Sequence, residues 1–186
     1  MTRVLGISGS LRRGSYNSAL LRAAARLMPE DATLEVASLR GIPLYDGDVE
    51  AQGIPAAVSQ LKEAIVAADG VLLATPEYNN SIPGVFKNTI DWLSRPSSDI
   101  KRVFGGRAFA IMGASPSGFG TTLSQAAWLP VMRTLGTQTW FGGRLLVARA
   151  AGVFDEGGSL KDATVEEHLK QFLAGYVNFL RRPDRT

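Results

Sequence analysis

A doubly wound α/β fold, with helices on both faces of a parallel sheet, is predicted by three features of the 186-residue sequence. Short apolar runs rich in β-formers alternate with longer stretches of helical periodicity. The runs Val71-Leu72-Leu73-Ala74 and Ala108-Phe109-Ala110-Ile111-Met112 are apolar at every position, as strands covered on both faces must be. Glycine, serine, proline and asparagine gather in the loops after the first, third and fourth runs, where such folds place their ligands.

The first strand spans roughly Arg3 to Ser8 and leads into a helix from about Ser15, whose Leu20, Ala24, Leu27 and Met28 share one face. A second strand lies near Leu34 to Ala37. The next helix carries Val58, Leu61, Ile65 and Ala68 on one stripe and runs into Val71–Ala74, which its composition makes central. A Pro/Asn-rich loop, a helix around Val85 to Leu93 and the buried strand Ala108–Met112 follow. The helix from about Thr121 to Leu135 contains Pro130, which predicts a kink because proline removes an interior hydrogen bond. A fifth strand covers Gln138 to Phe141, with a continuation through Leu145-Leu146-Val147. The last helix has the clearest period, with Leu169, Phe172, Leu173, Tyr176, Val177 and Leu180. The pattern totals five strands and five helices.

Hydrophobic residues make up 45% of the chain, enough to bury a core, and one domain over residues 1–186 is expected. There are no cysteines, which excludes disulfides, thiolate metal sites and a redox thiol, so redox chemistry needs a bound cofactor. The net charge is +3 with basic residues dispersed, which argues against nucleic acid as a partner and suits small anionic ligands. No apolar run reaches the roughly 18 residues of a membrane span. The chain enters its first strand at once, with no charged leader, so a cytoplasmic protein without a membrane partner is expected.

The segment GISGSLRRGSYNSALLR, Gly6 to Arg22, passes from strand through a Gly/Ser/Arg loop to an amphipathic helix. Its chemistry suits a phosphate monoester. Hydroxyls of Ser8, Ser10 and Ser15, backbone N–H groups near Gly9 and Gly14, the amide of Asn17 and the guanidinium of Arg12 can converge on anionic oxygens at a helix start. The dinucleotide pattern G-x-G-x-x-G is absent from this loop, and Gly118-Phe119-Gly120 begins it but has Leu123 at the third glycine. The Walker A pattern matches at Gly9 and Gly14 and then fails at Ser15 and Tyr16. The plain alternative is that Ser15 caps the helix and the glycines turn the chain.

The segment TPEYNNSIPGVFKNTIDWLS, Thr75 to Ser94, suits a planar heteroaromatic ligand. Tyr78 can lie against a ring face, Pro76 stiffens the backbone, and exposed N–H groups and Asn79 can bond ring nitrogens and carbonyls. Asn80 and Ser81 read equally well as helix caps. Glu77 invites a general-acid role, but no neighbour in sequence would tune it.

Together these two loops, the second continuing as PEYNNSIPGVFKNTIDWLSRP, closely resemble the NADPH-dependent FMN reductase family, with its quinone and chromate reductase members. The resemblance implies a flavodoxin-like fold with strand order 2-1-3-4-5. It implies FMN as cofactor, with phosphate ligands Ser8, Ser10, Arg12, Ser15 and Asn17 and ring contacts Pro76, Glu77, Tyr78 and Asn79. In the loop GRAFAIMGASPSGFGTT after the fourth strand, Ser115 and Gly118 would close the other side of the flavin. The implied reaction is ping-pong: NADPH or NADH gives hydride to the flavin, leaves, and is replaced by a small-molecule acceptor such as a quinone, flavin, azo compound or chromate. The flavin does the chemistry, so no catalytic side chain is assigned and Tyr78 is the stacking partner and gate. A homodimer or homotetramer is implied, with Trp128 a candidate interface residue.

The rival reading is a non-enzymatic electron carrier of flavodoxin type, and a flavin-binding regulatory module is a third. The net basic charge counts against a carrier that docks on basic partners. His168 beside Glu166 and Glu167 reads as a solvated side chain, and Trp92, Trp128 and Trp140 as core or interface aromatics. Arg12, Arg13 or another arginine that spacing does not single out is the candidate for a site taking the 2′-phosphate that separates NADPH from NADH.

Overall fold

A computed structural model describes residues 1–182. Along its three inner strands, β1 (Thr2–Ser8), β3 (Gly70–Ala74) and β4 (Ala108–Ala114), side chains alternate between two separate cores. Val4, Leu72, Ala74, Ala108, Ala110 and Met112 face one core, which α1 (Tyr16–Arg26), α7 (Ala150–Val153) and α8 (Ala163–Leu180) cover. Leu5, Ile7, Val71, Leu73, Phe109 and Ile111 face the other. That side is closed by α3 (Ala56–Ala67), α4 (Gly84–Leu93), α5 (Ile100–Val103) and α6 (Thr122–Thr134). Every residue of β3 and β4 is buried, which is why those runs carry no polar alternation.

The sheet order is β2-β1-β3-β4-β5, with β2 at Ala32–Ala37 and β5 at Gln138–Thr139, and all pairings are parallel. This is the flavodoxin-like arrangement expected, with β3 central. The connection after β1 runs outward to β2, whereas the one after β2 crosses back over β1 to β3. The direction therefore reverses between β1 and β3, and their carboxyl ends flank the switch point.

The fifth strand is shorter than the sequence suggests and broken in two. Trp140 still donates its N–H to Phe109, but the chain then wraps its own indole. A β-carbon at Gly142 would sit 2.5 Å from the indole nitrogen, so the wrap admits no side chain there. The chain rejoins the sheet as β6 (Leu146–Val147), beside Gly113 and Ala114 of β4, which is the expected continuation. The helix α6 runs from Thr122 to Thr134 with Pro130 inside it. Eight α-helices are present among the described residues; α2 (Gly47–Ala51), α5 and α7 are too short to have shown periodicity. Trp128 is fully buried and donates its ring N–H to Thr75, so it is a core residue and not an interface one. Between α3 and α5, buried Lys62 donates to the Arg95 carbonyl and to Asp99, holding the Asp99 carboxyl below its ordinary range.

Candidate functional site

The carboxyl ends of β1, β3 and β4 are drawn together before their loops diverge. Gly9 donates its N–H to Ala74, and Thr75 donates to Met112, each at 2.9 Å, so the first and second loops leave the sheet side by side. A β-carbon at Gly9 would lie 2.2 Å from Phe86 and 2.9 Å from Pro76, so only glycine permits this approach.

A cleft of about 300 Å³ opens above this point, lined by Ser10, Arg12, Ser15, Tyr16, Asn17, Pro76, Tyr78, Ala114 and Pro116. One end is the start of α1. Ser15 caps the helix by accepting from the Ser18 N–H, which leaves the N–H groups of Tyr16 and Asn17 without intrahelical acceptors. The Ser10 hydroxyl accepts from the Arg12 N–H, so the hydroxyls of Ser10 and Ser15 each keep a proton to donate. The Arg12 guanidinium is held by the Gly14 carbonyl at 2.8 Å and lies 5.8 Å from the Tyr16 ring centre. Two backbone donors, two hydroxyls, a guanidinium and a helix dipole thus share one end of the cleft. That donor set fits a phosphate monoester.

Asn17 is committed elsewhere. Its carboxamide donates to the Ala114 carbonyl at 2.8 Å and accepts from the Ala114 N–H at 2.9 Å, both buried. The side chain therefore clasps α1 to the end of β4 and keeps its second amide hydrogen, beside the backbone N–H, for a ligand.

The other end is a two-residue hairpin. Tyr78 and Ser81 exchange both backbone hydrogen bonds, at 3.2 and 3.0 Å, with Asn79 (φ 49°) and Asn80 (φ 61°) at the turn. Both central residues have positive φ, the mark of a type I′ turn, which asparagine tolerates. Asn80 and Ser81 thus build the turn rather than cap α4, which starts after Pro83. Tyr78 lines the cleft with 50% of its surface exposed, while Asn79 projects at the hairpin tip. Beneath them, buried Thr75 bonds Ser124 at 2.8 Å and takes the Trp128 ring N–H at 3.1 Å.

The structure therefore brings Ser10, Arg12, Ser15, Asn17, Pro76 and Tyr78 to one cleft. It places five expected residues outside that lining. Ser8 accepts from Ser18 at 2.9 Å and faces a neighbouring cleft. Glu77 turns away from the ring end: one carboxylate oxygen accepts the N–H groups of Leu123 and Ser124, at 2.8 and 3.0 Å, and caps α6. Ser115 bonds Ser117 in its own loop, while Gly118 and Asn79 are exposed. The cleft also takes in Tyr16, Ala114 and Pro116, which sequence reasoning passed over. Pro116 had a signal in the Gly/Ser/Pro composition of the third loop; Ala114 had none.

Comparison with known proteins gives a consistent answer. The sequence family described as NADPH-dependent FMN reductase matches residues 2–152. An NAD(P)H-dependent FMN reductase of Pseudomonas aeruginosa is 44% identical over 97% of this chain and 96% of its own length. A 2-hydroxy-1,4-benzoquinone reductase of a Burkholderia species is 33% identical over 96% of both chains. Among solved structures, the flavoenzyme NAD(P)H:(acceptor) oxidoreductase FerB from Paracoccus denitrificans superposes with a TM-score of 0.86, at 30% identity over 97% of each chain.

Proposed function

Because the chain belongs to the NADPH-dependent FMN reductase family, we propose that it binds FMN in the cleft at the switch point and passes electrons from NADPH or NADH to a small acceptor. One observation carries this reading: the cleft has a phosphate-type donor set at one end and a half-exposed tyrosine on a hairpin at the other. The N–H groups of Tyr16 and Asn17, with Ser10, Ser15 and Arg12, would hold the phosphate tail. Pro76 and Tyr78 would border the ring system, and Asn17 would act by fixing the helix start on which the tail rests.

When bound, FMN supplies the two-electron chemistry, taking hydride from the nicotinamide and releasing electrons to the acceptor in separate half-reactions. The protein's part is orientation and access. Donor and acceptor would use the same open side in turn, a ping-pong order, with Tyr78 moving at its margin. Quinones are the first acceptors to try, given the benzoquinone reductase relative; flavins, azo compounds and chromate demand equally little of an open ring face. Glu77 takes no part in proton transfer on this reading, because its carboxylate holds α6. Among the described residues no helix is long and apolar enough to cross a membrane. Exposed Leu129 and Phe141 flank a second cleft beside α6 and support assembly into a dimer or tetramer.

The test is to purify the protein, record its visible spectrum, and follow NADPH and NADH oxidation with benzoquinone, with ferricyanide and without an acceptor. A yellow protein whose nucleotide oxidation accelerates with benzoquinone is expected. A colourless protein that gains no thermal stability from FMN would overturn the reading. A yellow protein that oxidises neither nucleotide would be a carrier instead.

A further inference from the structure

On the β2 side of the phosphate loop lies an adjoining cleft of about 280 Å³, which shares Ser10 and Arg12 with the first and has Arg12, Arg13, Arg22 and Arg40 among its lining residues. No carboxylate is in its lining, and among the described residues none of the four is in an ion pair. Like charges gathered without an acidic partner repel one another, and a bound anion reverses the sign of that interaction. The walls are also set in advance. Arg40 donates to the Leu11 carbonyl at 2.7 Å, fastening the segment after β2 to the phosphate loop. Ser38 accepts from the Arg40 N–H and Ser8 accepts from Ser18, so both hydroxyls keep a proton to donate. Arginine forks and hydroxyls are the donor set for the oxygens of a phosphate monoester.

The flavin phosphate does not need this cleft, because the start of α1 provides for it on the other side of the loop. We infer that the arginine cleft holds a second phosphate monoester, and that in the reaction this is the 2′-phosphate of NADPH. This rests on the proposed nicotinamide-dependent activity. It deepens that reading by making the enzyme selective for NADPH over NADH through Arg13, Arg22 and Arg40.

The experiment uses the FMN-loaded protein, so that the flavin phosphate site is already filled. Binding of adenosine 2′,5′-bisphosphate, 5′-AMP and inorganic phosphate is measured by calorimetry, and KM for NADPH and NADH is measured for wild type, Arg13→Gln/Arg22→Gln and Arg40→Gln. The bisphosphate should bind at least about tenfold more tightly than either other probe, since hydrogen bonds to charged groups are worth that much or more. Both variants should raise KM for NADPH by about tenfold or more while leaving KM for NADH unchanged, and Arg13→Gln/Arg22→Gln should also leave FMN content unchanged. The double variant leaves the Arg40–Leu11 tie intact, so it reads the cleft without disturbing the loop. Equal shifts for the two nucleotides, no shift for either, loss of FMN from the double variant, or inorganic phosphate binding as tightly as the bisphosphate would each overturn the assignment. Failure of the underlying activity is distinguishable, because wild-type protein would then oxidise neither nucleotide.

Discussion

The two loops that border the main cleft are secured in opposite ways. The β1–α1 loop is tied to distant parts of the sheet, by the double hydrogen bond between Asn17 and Ala114 and by the contact of Gly9 with Phe86 and Pro76. The hairpin carrying Tyr78 closes on itself through the Tyr78–Ser81 pair, and its main outside tie is the cap that Glu77 gives to α6. The difference assigns each end a mechanical character. A tail bound at the start of α1 meets donors fixed by buried contacts, whereas a ring at the hairpin meets a half-exposed side chain that can yield to successive visitors.

The largest effect is expected where the fixed loop is anchored. Asn17→Leu strands the N–H and carbonyl of Ala114 in a buried site, which should cost about 2–4 kcal/mol and lower the melting temperature by roughly 5–15 °C. A melting curve matching wild type would mean that the loop does not depend on this clasp. Next is Gly9→Ala, whose new β-carbon must displace Phe86 or Pro76, at about 1–3 kcal/mol. Gly14→Ala is its control, with open space around the position and a change within about 0.5 kcal/mol. Equal denaturant midpoints for the two variants would break the contrast between anchored and free ends of that loop.

At the hairpin the effects shrink. Glu77→Ala should lose about 1 kcal/mol as a missing helix cap, and Glu77→Gln should recover most of it, because an amide oxygen still accepts from Leu123 and Ser124. If Glu77→Gln kept full stability but lost NAD(P)H oxidation, the carboxylate would have a catalytic role beyond the cap. Tyr78→Ala should change stability by no more than about 0.5 kcal/mol, since the side chain is half in solvent, yet it should weaken FMN binding and alter both half-reactions. Unchanged affinity and unchanged half-reactions would remove Tyr78 from the site.

What could be read from the sequence was whatever depends on near neighbours. The apolar runs of β3 and β4, the stripe of α8 and the Ser15 cap all announce themselves within a few residues. The clasp made by Asn17 was not legible, because its partner lies 97 positions away. The cap that Glu77 gives to α6 was hidden in the same way, its partners being 46 and 47 positions along the chain. The Asn79-Asn80 turn was legible in principle, since that pair tolerates positive φ, but a cap before α4 competed for the same residues. The break after β5 was not legible, because it comes from Trp140 folding back on glycines that any loop might contain.

The placement of an FMN tail at the start of α1 is tested most directly by titrating cofactor-free protein with FMN and with riboflavin, which differ only in the phosphate. Wild type should bind FMN at least about a hundredfold more tightly, as several charge-assisted hydrogen bonds imply, and Arg12→Ala should remove much of that preference while leaving riboflavin affinity nearly unchanged. Equal dissociation constants for the two flavins in the wild-type protein would contradict it.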